Sequence, residues 1–401
     1  MKLPRASTVV PMLFYAASGG AFAVANLLLA RRLTERDYAL LTLVLAMMAL
    51  GPSLAAAGLD GVAVRGGLRF VAPVALRVWL AAGVVALGLG AAAASYDIGF
   101  AGVALIVVAG VTGGATAVAA AEFQRRQRFA LSLLLLHAPN YTLLLAALVV
   151  TGMGGTKGWL PLLFMAFGFV AAAVYAWRLV LRDPGDSPAD PGVPWGEAIS
   201  LASTNASGSI MTQLDRLIIP YLLPLGNLAT YGVLSSVAGS LFRVVQRGVG
   251  YGLLPRLRVA GSVAERRRLV ADEARLVLVV ALAGSALIWV GMPAVEHWLL
   301  ADKYRFSGAL VLATLIAGCA KLLQAFSRAA VTALADAREL GLVNVSGWVS
   351  LAISVIAAAV GAQWGLAGVI YGVGLGWLFR AAFALAVMSR HLRPAEQPVG
   401  D

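Results

Sequence analysis

The residues best suited to bind a charged ligand lie in one apolar segment near the middle of the chain. At helical spacing, Asn205, Ser209, Thr212 and Arg216 fall on one face, and Asp215 precedes the arginine. A charge at the centre of a membrane helix costs ~2.5–3.5 kcal/mol, so this face lines a cavity or a helix interface rather than lipid. We predict a cavity wall. The alternative is that Asp215 and Arg216 pair with neighbours and only stabilise the packing.

Two further apolar segments carry cations at helical spacing. Arg243 and Arg247 lie four residues apart, and a guanidinium fork suits a phosphate or pyrophosphate. The alternative for this pair is that both side chains extend to the headgroups of the cytoplasmic leaflet. Lys321 lies well inside a later segment, with Gln324 and Arg328 on nearly the same face. We expect Arg243 and Lys321 to be cavity cations.

Polar residues in the first half of the chain are weaker candidates. Asn26, His137, Asn140 and Tyr141 all fall within apolar segments. A single histidine in such a segment more often packs against neighbouring helices than binds a ligand. The three histidines show no metal-ligand spacing. The one cysteine, Cys319, excludes a disulfide framework or a cysteine metal cluster. We expect no metal and no cofactor.

Catalytic motifs are absent from the sequence. It contains no Gly-Lys dipeptide, and therefore no P-loop, and no His-Glu-x-x-His or Gly-x-Ser-x-Gly. The loops between the apolar segments on the predicted outer side are all short. We therefore expect a protein that is not an enzyme, with no catalytic residues.

The composition is that of a membrane protein. Of the 401 residues, 60% are hydrophobic and only 12% are charged, about half of what a soluble domain carries. The formal net charge of +12 does not indicate nucleic-acid binding. The basic residues lie in short breaks between apolar runs, where a bilayer protein meets anionic lipid.

Twelve apolar runs divide the chain. Each approximates the ~20 residues that cross the hydrocarbon core as a helix, and an open sheet would leave backbone groups unpaired in lipid. We therefore predict an all-α polytopic fold. We interpret the first run as a retained helix, although a cleaved signal peptide is the alternative. The runs are 9–30, 38–59, 74–94, 100–121, 129–151, 159–181, 199–222, 228–249, 276–295, 307–332, 342–362 and 366–388.

The distribution of basic residues predicts the orientation. Of the 31 Lys and Arg, about 23 fall in segments on the side of the N-terminus and about 6 on the other side. Both termini are therefore predicted to be cytoplasmic. A stretch rich in Pro, Gly and Asp predicts two six-helix lobes, 1–182 and 197–390, joined by a cytoplasmic linker, 183–196, and followed by a tail, 391–401.

A weak internal repeat supports the two lobes. Residues 33–41 align with residues 223–231, and both segments join the first two helices of their half. Because each predicted half has an even number of spans, the axis relating the halves would run along the membrane normal. We therefore expect two pseudo-symmetric bundles.

Three short motifs resemble a known superfamily. They are the Arg31–Tyr38 turn, with its Arg-Arg-Leu-Thr-Glu-Arg-Asp-Tyr sequence, the Asp215–Arg216 pair, and Leu254-Pro255-Arg256-Leu257. Together with the two bundles, they resemble the polysaccharide-transporter branch of the multidrug/oligosaccharidyl-lipid/polysaccharide (MOP) exporters, which includes O-antigen (Wzx-type) flippases. The first turn here lacks the Gly-Pro often found in that branch.

The resemblance implies a function and its partners. A flippase of this type moves a polyprenyl-pyrophosphate-linked oligosaccharide across the cell inner membrane for surface polysaccharide or lipopolysaccharide biosynthesis. Its cationic cavity opens alternately to the two sides. The implied partners are the lipid-linked substrate, membrane lipids and other polysaccharide-assembly proteins, with no nucleic acid, and the implied state is a monomer. The candidate cavity residues are Asn26, Asn205, Ser209, Thr212, Asp215, Arg216, Arg243 and Lys321.

Three other functions compete with this interpretation. A cation-coupled multidrug exporter of the same fold would favour acidic cavity residues, whereas Asp215 is the one carboxylate clearly within a span. A glycan polymerase or ligase would need a large external loop with polar catalytic groups. A non-transporting scaffold would not need the polar seventh span.

Overall fold

The computed structural model describes residues 6–153, 158–183 and 192–392, and every regular element in these ranges is helical. Twelve helices are 21–35 residues long, and one short helix, α3 (Leu59–Val64), follows the second of them. The long helices are α1 (Ala6–Arg32), α2 (Glu35–Ala55), α4 (Ala72–Ala94), α5 (Gly99–Arg125), α6 (Phe129–Gly152), α7 (Leu160–Arg182), α8 (Trp195–Leu222), α9 (Leu225–Val259), α10 (Val263–Ala294), α11 (Gly308–Leu334), α12 (Ala337–Gly361) and α13 (Gly365–His391).

The long helices correspond one to one with the twelve predicted spans. Within the described ranges, nine segments are long and apolar enough to cross a membrane, and one of them, Arg338–His391, contains both α12 and α13. Helix α8 is not among the nine, although it has 28 residues, because polar side chains interrupt its apolar sequence. Part of α9 lies outside the residues whose side chains the structure describes. The predicted all-α, twelve-helix, multi-pass membrane fold is confirmed.

Large apolar side chains on the outer helices face away from the protein. On α4, Val84 is 71% exposed and Leu87 is 63% exposed, and on α10, Val290 is 77% exposed. A soluble protein would hide such contiguous apolar surface, whereas lipid accepts it. These faces therefore contact the hydrocarbon of the bilayer.

The chain divides into two compact units. The first comprises Met1–Ser236 together with Ala294–Arg305, and the second comprises Val237–Pro293 together with Phe306–Asp401. The predicted lobes, with a linker at 183–196, rest on the stretch rich in Pro, Gly and Asp and on the internal repeat. That division stays a prediction, and residues 184–191 of the linker lie outside the described ranges. The predicted cytoplasmic location of both termini also stays a prediction.

The two aligned turns of the repeat occupy equivalent places in the fold. Helix α1 ends at Arg32 and α2 begins at Glu35, and an offset of 190 residues leads to Leu222 and Leu225, where α8 ends and α9 begins. The two helix pairs also contact each other within the first unit.

The contact between α2 and α9 joins residues that the repeat aligns. A Cβ built on Gly232 would lie 2.6 Å from Oγ1 of Thr42, which is its equivalent at the same offset of 190. A contact between repeat equivalents is what a two-fold axis relating the two copies would produce.

Gly58 allows α3 to pack directly against α8. Its φ is +76°, and a Cβ at this position would lie 1.9 Å from the carbonyl oxygen of Ala198 and 2.7 Å from the backbone nitrogen of Ala202. Only glycine combines this backbone conformation with so close an approach. Gly58 therefore sets the position of the N-terminal part of α8, the helix that carries the polar face.

We expect Gly58→Ala to destabilise the protein, because the new methyl group meets backbone atoms that cannot move independently of α8. The melting temperature of detergent-purified protein should fall by several degrees. Gly88→Ala is the matched control, since no atom lies within 4 Å of a Cβ at Gly88. Equal melting temperatures for the two variants would contradict the close packing of α3 on α8.

Asp60 opens onto a small pocket of about 150 Å³ in the first unit, which Gln124 also lines. Its Oδ1 atom is buried and accepts no hydrogen bond in the part of the chain that the structure describes. Burial raises the pKa of this carboxyl above its usual range, and hydrogen bonds from the backbone of Asp60 and Gly61 oppose the shift. Asp60 lies in α3, outside the long helices.

The raised pKa makes stability depend on pH. The folded state holds the Asp60 proton more tightly than the unfolded state, so this residue lowers stability as pH rises above its ordinary pKa of 3.8. Asp60→Asn removes the charge, so its stabilising effect on melting temperature should be larger at pH 8 than at pH 4, near the ordinary pKa. Asp97→Asn, which changes an exposed carboxylate in the same unit, should show no such difference. A pH-independent effect of Asp60→Asn would contradict the shift.

Candidate functional site

Helix α8 carries two charged residues that are buried. Asp215 is 4% exposed and Arg216 is 7% exposed, near the C-terminal end of a helix that runs from Trp195 to Leu222. Ions are costly to place in a low-dielectric interior unless other groups replace their hydration. The neighbours of these two side chains therefore define the candidate site.

The carboxylate of Asp215 has a close hydrogen-bond donor on α9. The hydroxyl of Tyr231 donates to Oδ2 of Asp215 at 2.5 Å, and Tyr231 is itself 6% exposed. A hydrogen bond to an ionised acceptor is short and about twice as strong as a neutral one. This bond links α8 to α9 inside the first unit.

Arg216 contacts neutral groups. Its Nη2 donates to Oγ of Ser235 at 3.1 Å, and its Nη1 donates to Oε1 of Gln213 at the longer distance of 3.4 Å. Its guanidinium carbon also lies 6.0 Å from the ring centroid of Phe22, at the outer limit of a cation–π contact. Neutral partners solvate the guanidinium without neutralising it, so an anionic group would be attracted to it.

Asn26 joins this region through α1. It is 3% exposed, and its Nδ2 donates to the backbone carbonyl of Phe22 at 2.8 Å, one turn earlier in the same helix. The Phe22 ring faces Arg216. Asn26 thus lies one turn from the aromatic neighbour of the arginine, and its amide is held by its own helix.

The rest of the predicted polar face of α8 is more open. Asn205 and Ser209 are half-buried, whereas Thr212 is exposed. The hydroxyl of Thr212 donates a hydrogen bond to the carbonyl oxygen of Gly208 at 2.7 Å. A hydroxyl satisfied by its own helix can face lipid or water. The structure therefore brings Asp215 and Arg216 together with α9, but does not bring Thr212 into that group.

Two predicted site residues lie elsewhere. The side chain of Arg243, like that of Arg247, lies outside the described residues. Lys321 belongs to the second unit, where its Nζ lies 5.8 Å from the ring centroid of Trp377. The assignment of all eight candidate residues to a binding site stays a prediction.

Sequence reasoning missed the aromatic residues that surround the charged pair. Tyr38 of α2 is fully buried, and its ring centroid lies 6.4 Å from that of Tyr304. Tyr38 belongs to the turn motif, but that motif does not show that the side chain packs near Tyr304.

Lys303, in the loop that precedes α11, has specific partners in the first unit. Its Nζ donates to the carbonyl oxygen of Ala30 at 2.8 Å and to that of Leu33, at the C-terminal end of α1. A cation at a helix C-terminus satisfies free carbonyls and interacts favourably with the helix dipole. Burial lowers the pKa of Lys303, and the nearby charge of Glu35 opposes this shift.

Metal-binding groups are absent from the described ranges, in that no three His, Cys, Asp or Glu side chains converge there. His137 packs edge-to-face on Tyr15, with ring centroids 5.2 Å apart, and Asn140 donates to Oγ of Ser18 at 2.7 Å. These polar groups of α6 therefore contact α1, in the manner of packing residues.

Comparisons with solved structures identify the fold. An inward-facing multidrug resistance MATE family transporter of the MOP superfamily aligns with a TM-score of 0.63 at 12% sequence identity, covering 96% of this chain and 98% of that one. A MOP superfamily transporter from Pyrococcus furiosus, described as having a binding pocket of reverse polarity, aligns with a TM-score of 0.58 at 13% identity, covering 96% and 94%.

A flippase shares the same fold. The lipid II flippase MurJ, in an inward closed conformation, aligns with a TM-score of 0.59 at 9% identity, covering 94% of this chain and 87% of that one. No protein-family model and no curated protein matches the sequence. At these identities the comparisons establish the fold alone: the chain has the architecture of the MATE and MurJ transporters. The polysaccharide-transporter branch that the sequence resembles stays a prediction.

Proposed function

We propose that this protein is a MOP-type flippase that moves a polyprenyl-pyrophosphate-linked oligosaccharide across the cytoplasmic membrane. Arg216 is the residue we assign to the anionic part of the substrate. The proposal rests chiefly on one observation: a guanidinium lies buried among neutral partners in a transporter fold. The required partners are the lipid-linked substrate and the lipids of the bilayer, and no chemical step on the substrate is needed.

The contacts of the charged pair favour an anionic substrate. The carboxylate of Asp215 already accepts a short hydrogen bond from Tyr231, whereas Arg216 has an ordinary contact with Ser235 and a long one with Gln213. A phosphate oxygen could replace these two contacts with charge-assisted ones. Attraction of an anion to Arg216 would therefore cost little in lost protein contacts.

The fold likeness supports transport without fixing the cargo. The similar structures include both a multidrug transporter and a lipid II flippase. Because the sequence has no P-loop, the driving force would come from an ion gradient, the membrane potential or downhill movement of the substrate. The same lobed architecture would open its cavity alternately to each side of the membrane.

The proposal predicts a specific biochemical phenotype. Removing the protein from its host should raise the pool of completed lipid-linked oligosaccharide and reduce its surface product, as measured by mass spectrometry and polysaccharide analysis. Wild type should restore both pools. Arg216→Gln should restore less than about a tenth of the flux, because a lost charge-assisted contact to phosphate costs at least ~1.4 kcal/mol.

Two controls make this test interpretable. Arg36→Gln removes an exposed arginine from the first unit and should complement fully. Arg216→Lys retains the charge but loses the fork, so intermediate flux is expected if its melting temperature matches that of wild type. Unchanged pools in the strain lacking the protein would contradict glycan transport.

A cation-coupled drug exporter is the second candidate function. Its specific support is Asp215, a buried carboxylate that could take up a coupling cation, together with the fold likeness to a multidrug resistance transporter. In that case, loss of the protein would leave the glycan pools unchanged and increase sensitivity to cationic drugs, and Asp215→Asn would fail to restore resistance.

The bond between Tyr231 and Asp215 should be structural under the flippase proposal. Tyr231→Phe leaves a buried carboxylate without this donor and should destabilise the protein by about 1–3 kcal/mol. In the Asp215→Asn background, the same change should cost much less, because the carboxylate is gone. A double-mutant cycle of thermal or denaturant stability measures the coupling, and additive effects would contradict the interaction.

A further inference from the structure

An apolar groove of about 550 Å³ runs between α12 and α13 in the second unit. Large, exposed side chains form its walls: Val360 on α12, Trp364 in the turn between the helices, and Tyr371 and Leu375 on α13. Tyr371 and Leu375 are four residues apart and therefore lie on one face of α13. The groove thus follows the length of the helix from the turn inward.

Small residues form the floor of the groove. Ala357 of α12 and Ala367 of α13 line it between the large side chains. A Cβ on Gly361 would overlap the carbonyl oxygen of Gly368, and a Cβ on Gly372 would overlap the backbone of Ala357. The two helix backbones therefore already touch beneath the groove. Because they cannot approach further, the groove is a fixed feature of this helix pair.

The lining of the groove matches a hydrocarbon ligand. None of its nine lining residues carries a charge, and its only polar side-chain groups are the indole of Trp364 and the hydroxyl of Tyr371. Both helices belong to a segment that is long and apolar enough to cross a membrane. The volume falls within the ~300–1,000 Å³ that is typical of small-molecule sites. A groove of this kind on a membrane-spanning surface favours an alkyl chain.

The length of the groove distinguishes a lipid chain from a helix of another protein. Its lining runs from Trp364 to Leu375, and eleven residues of helix rise about 16 Å. That is about half of the ~30 Å hydrocarbon core, and so one leaflet. A transmembrane helix would need a complementary strip through both leaflets, whereas an acyl chain ends near the midplane. The extent of the groove therefore favours an acyl chain.

The turn at the end of the groove suits a lipid headgroup without selecting an anionic one. Trp364 is 68% exposed there, and tryptophan prefers the level of the headgroups because its ring is apolar and its N–H is polar. The turn sequence, Gly361-Ala362-Gln363-Trp364-Gly365, contains no cation. A headgroup beside this turn would therefore be recognised by hydrogen bonds rather than by charge.

We propose that the groove between α12 and α13 is a lipid-binding site that holds one acyl chain of a phospholipid. The lipid belongs to the leaflet that contains the α12–α13 turn. Its chain lies along the small residues of the floor, between Val360 on one side and Tyr371 and Leu375 on the other, and its headgroup lies beside Trp364. The site does not depend on Arg216 or on the identity of a transported cargo.

The test is native mass spectrometry of the full-length protein, purified in detergent and incubated with dioleoyl phosphatidylcholine. Wild type should retain one lipid at collision energies that remove the others. Ala367→Phe fills the floor of the groove and should lower the fraction with one retained lipid by about fivefold. Trp364→Ala removes a wall without adding volume and should lower this fraction by about threefold.

Two matched controls change the same residue types outside the groove. Ala359→Phe alters an exposed alanine of α12 that does not line it, and Trp298→Ala removes another highly exposed tryptophan. Both should retain lipid within about twofold of wild type. Melting temperatures guard against misfolding, and Trp364→Ala tests the site even if Ala367→Phe is unstable, because its side chain is largely exposed.

The remaining outcomes decide between occupants. Dioleoyl phosphatidylglycerol should bind within about twofold of phosphatidylcholine, because no cation lies at the turn; a strong preference for phosphatidylglycerol would contradict the proposed headgroup position. If Ala367→Phe instead removes a dimer and leaves lipid retention unchanged, the groove is a contact between two copies. Equal lipid retention by the two groove variants and the two controls would likewise overturn the proposal.

Discussion

Arg216 is a positive charge held among apolar helices, and its solvation constrains the helices around it. Burial of a guanidinium in a medium that resembles hydrocarbon is tolerable only if polar groups from neighbouring elements surround it. Ser235 of α9, Gln213 of α8 and the ring of Phe22 in α1 provide that environment. Because three helices must meet at this residue, the charge acts as a constraint on packing as well as a candidate ligand-binding group.

The two members of the charged pair lie in different environments. Asp215 pairs with Tyr231, and Arg216 pairs with Ser235. The carboxylate has a strong donor, and the guanidinium has weaker acceptors. An adjacent Asp-Arg pair could have neutralised itself, but here the two side chains have separate partners on α9. This separation is the physical basis of the proposal that the substrate is anionic.

The internal repeat places the turn between α8 and α9 at the position equivalent to the turn between α1 and α2. The turns at Arg32–Glu35 and Leu222–Leu225 coincide under one offset, and Thr42 contacts its own equivalent, Gly232. Small residues at such a contact let two backbones approach closely, which is the main way that helices associate in lipid. The polar face of α8 is a departure from its apolar counterpart in the repeat, α1.

The sequence by itself determined the helices and the burial of the charged pair. A hydrophobic run shows that its segment favours transfer from water into lipid, and this property depends on that segment alone. The turns before Glu35 and Leu225 were recognisable from the repeat. Tertiary structure alone decided the partners: Tyr231 for Asp215, and the carbonyls of α1 for Lys303. It also left Thr212 exposed. Contacts of this kind depend on the rotation and register of helices distant in sequence, and the hydropathy of a single segment does not encode either quantity.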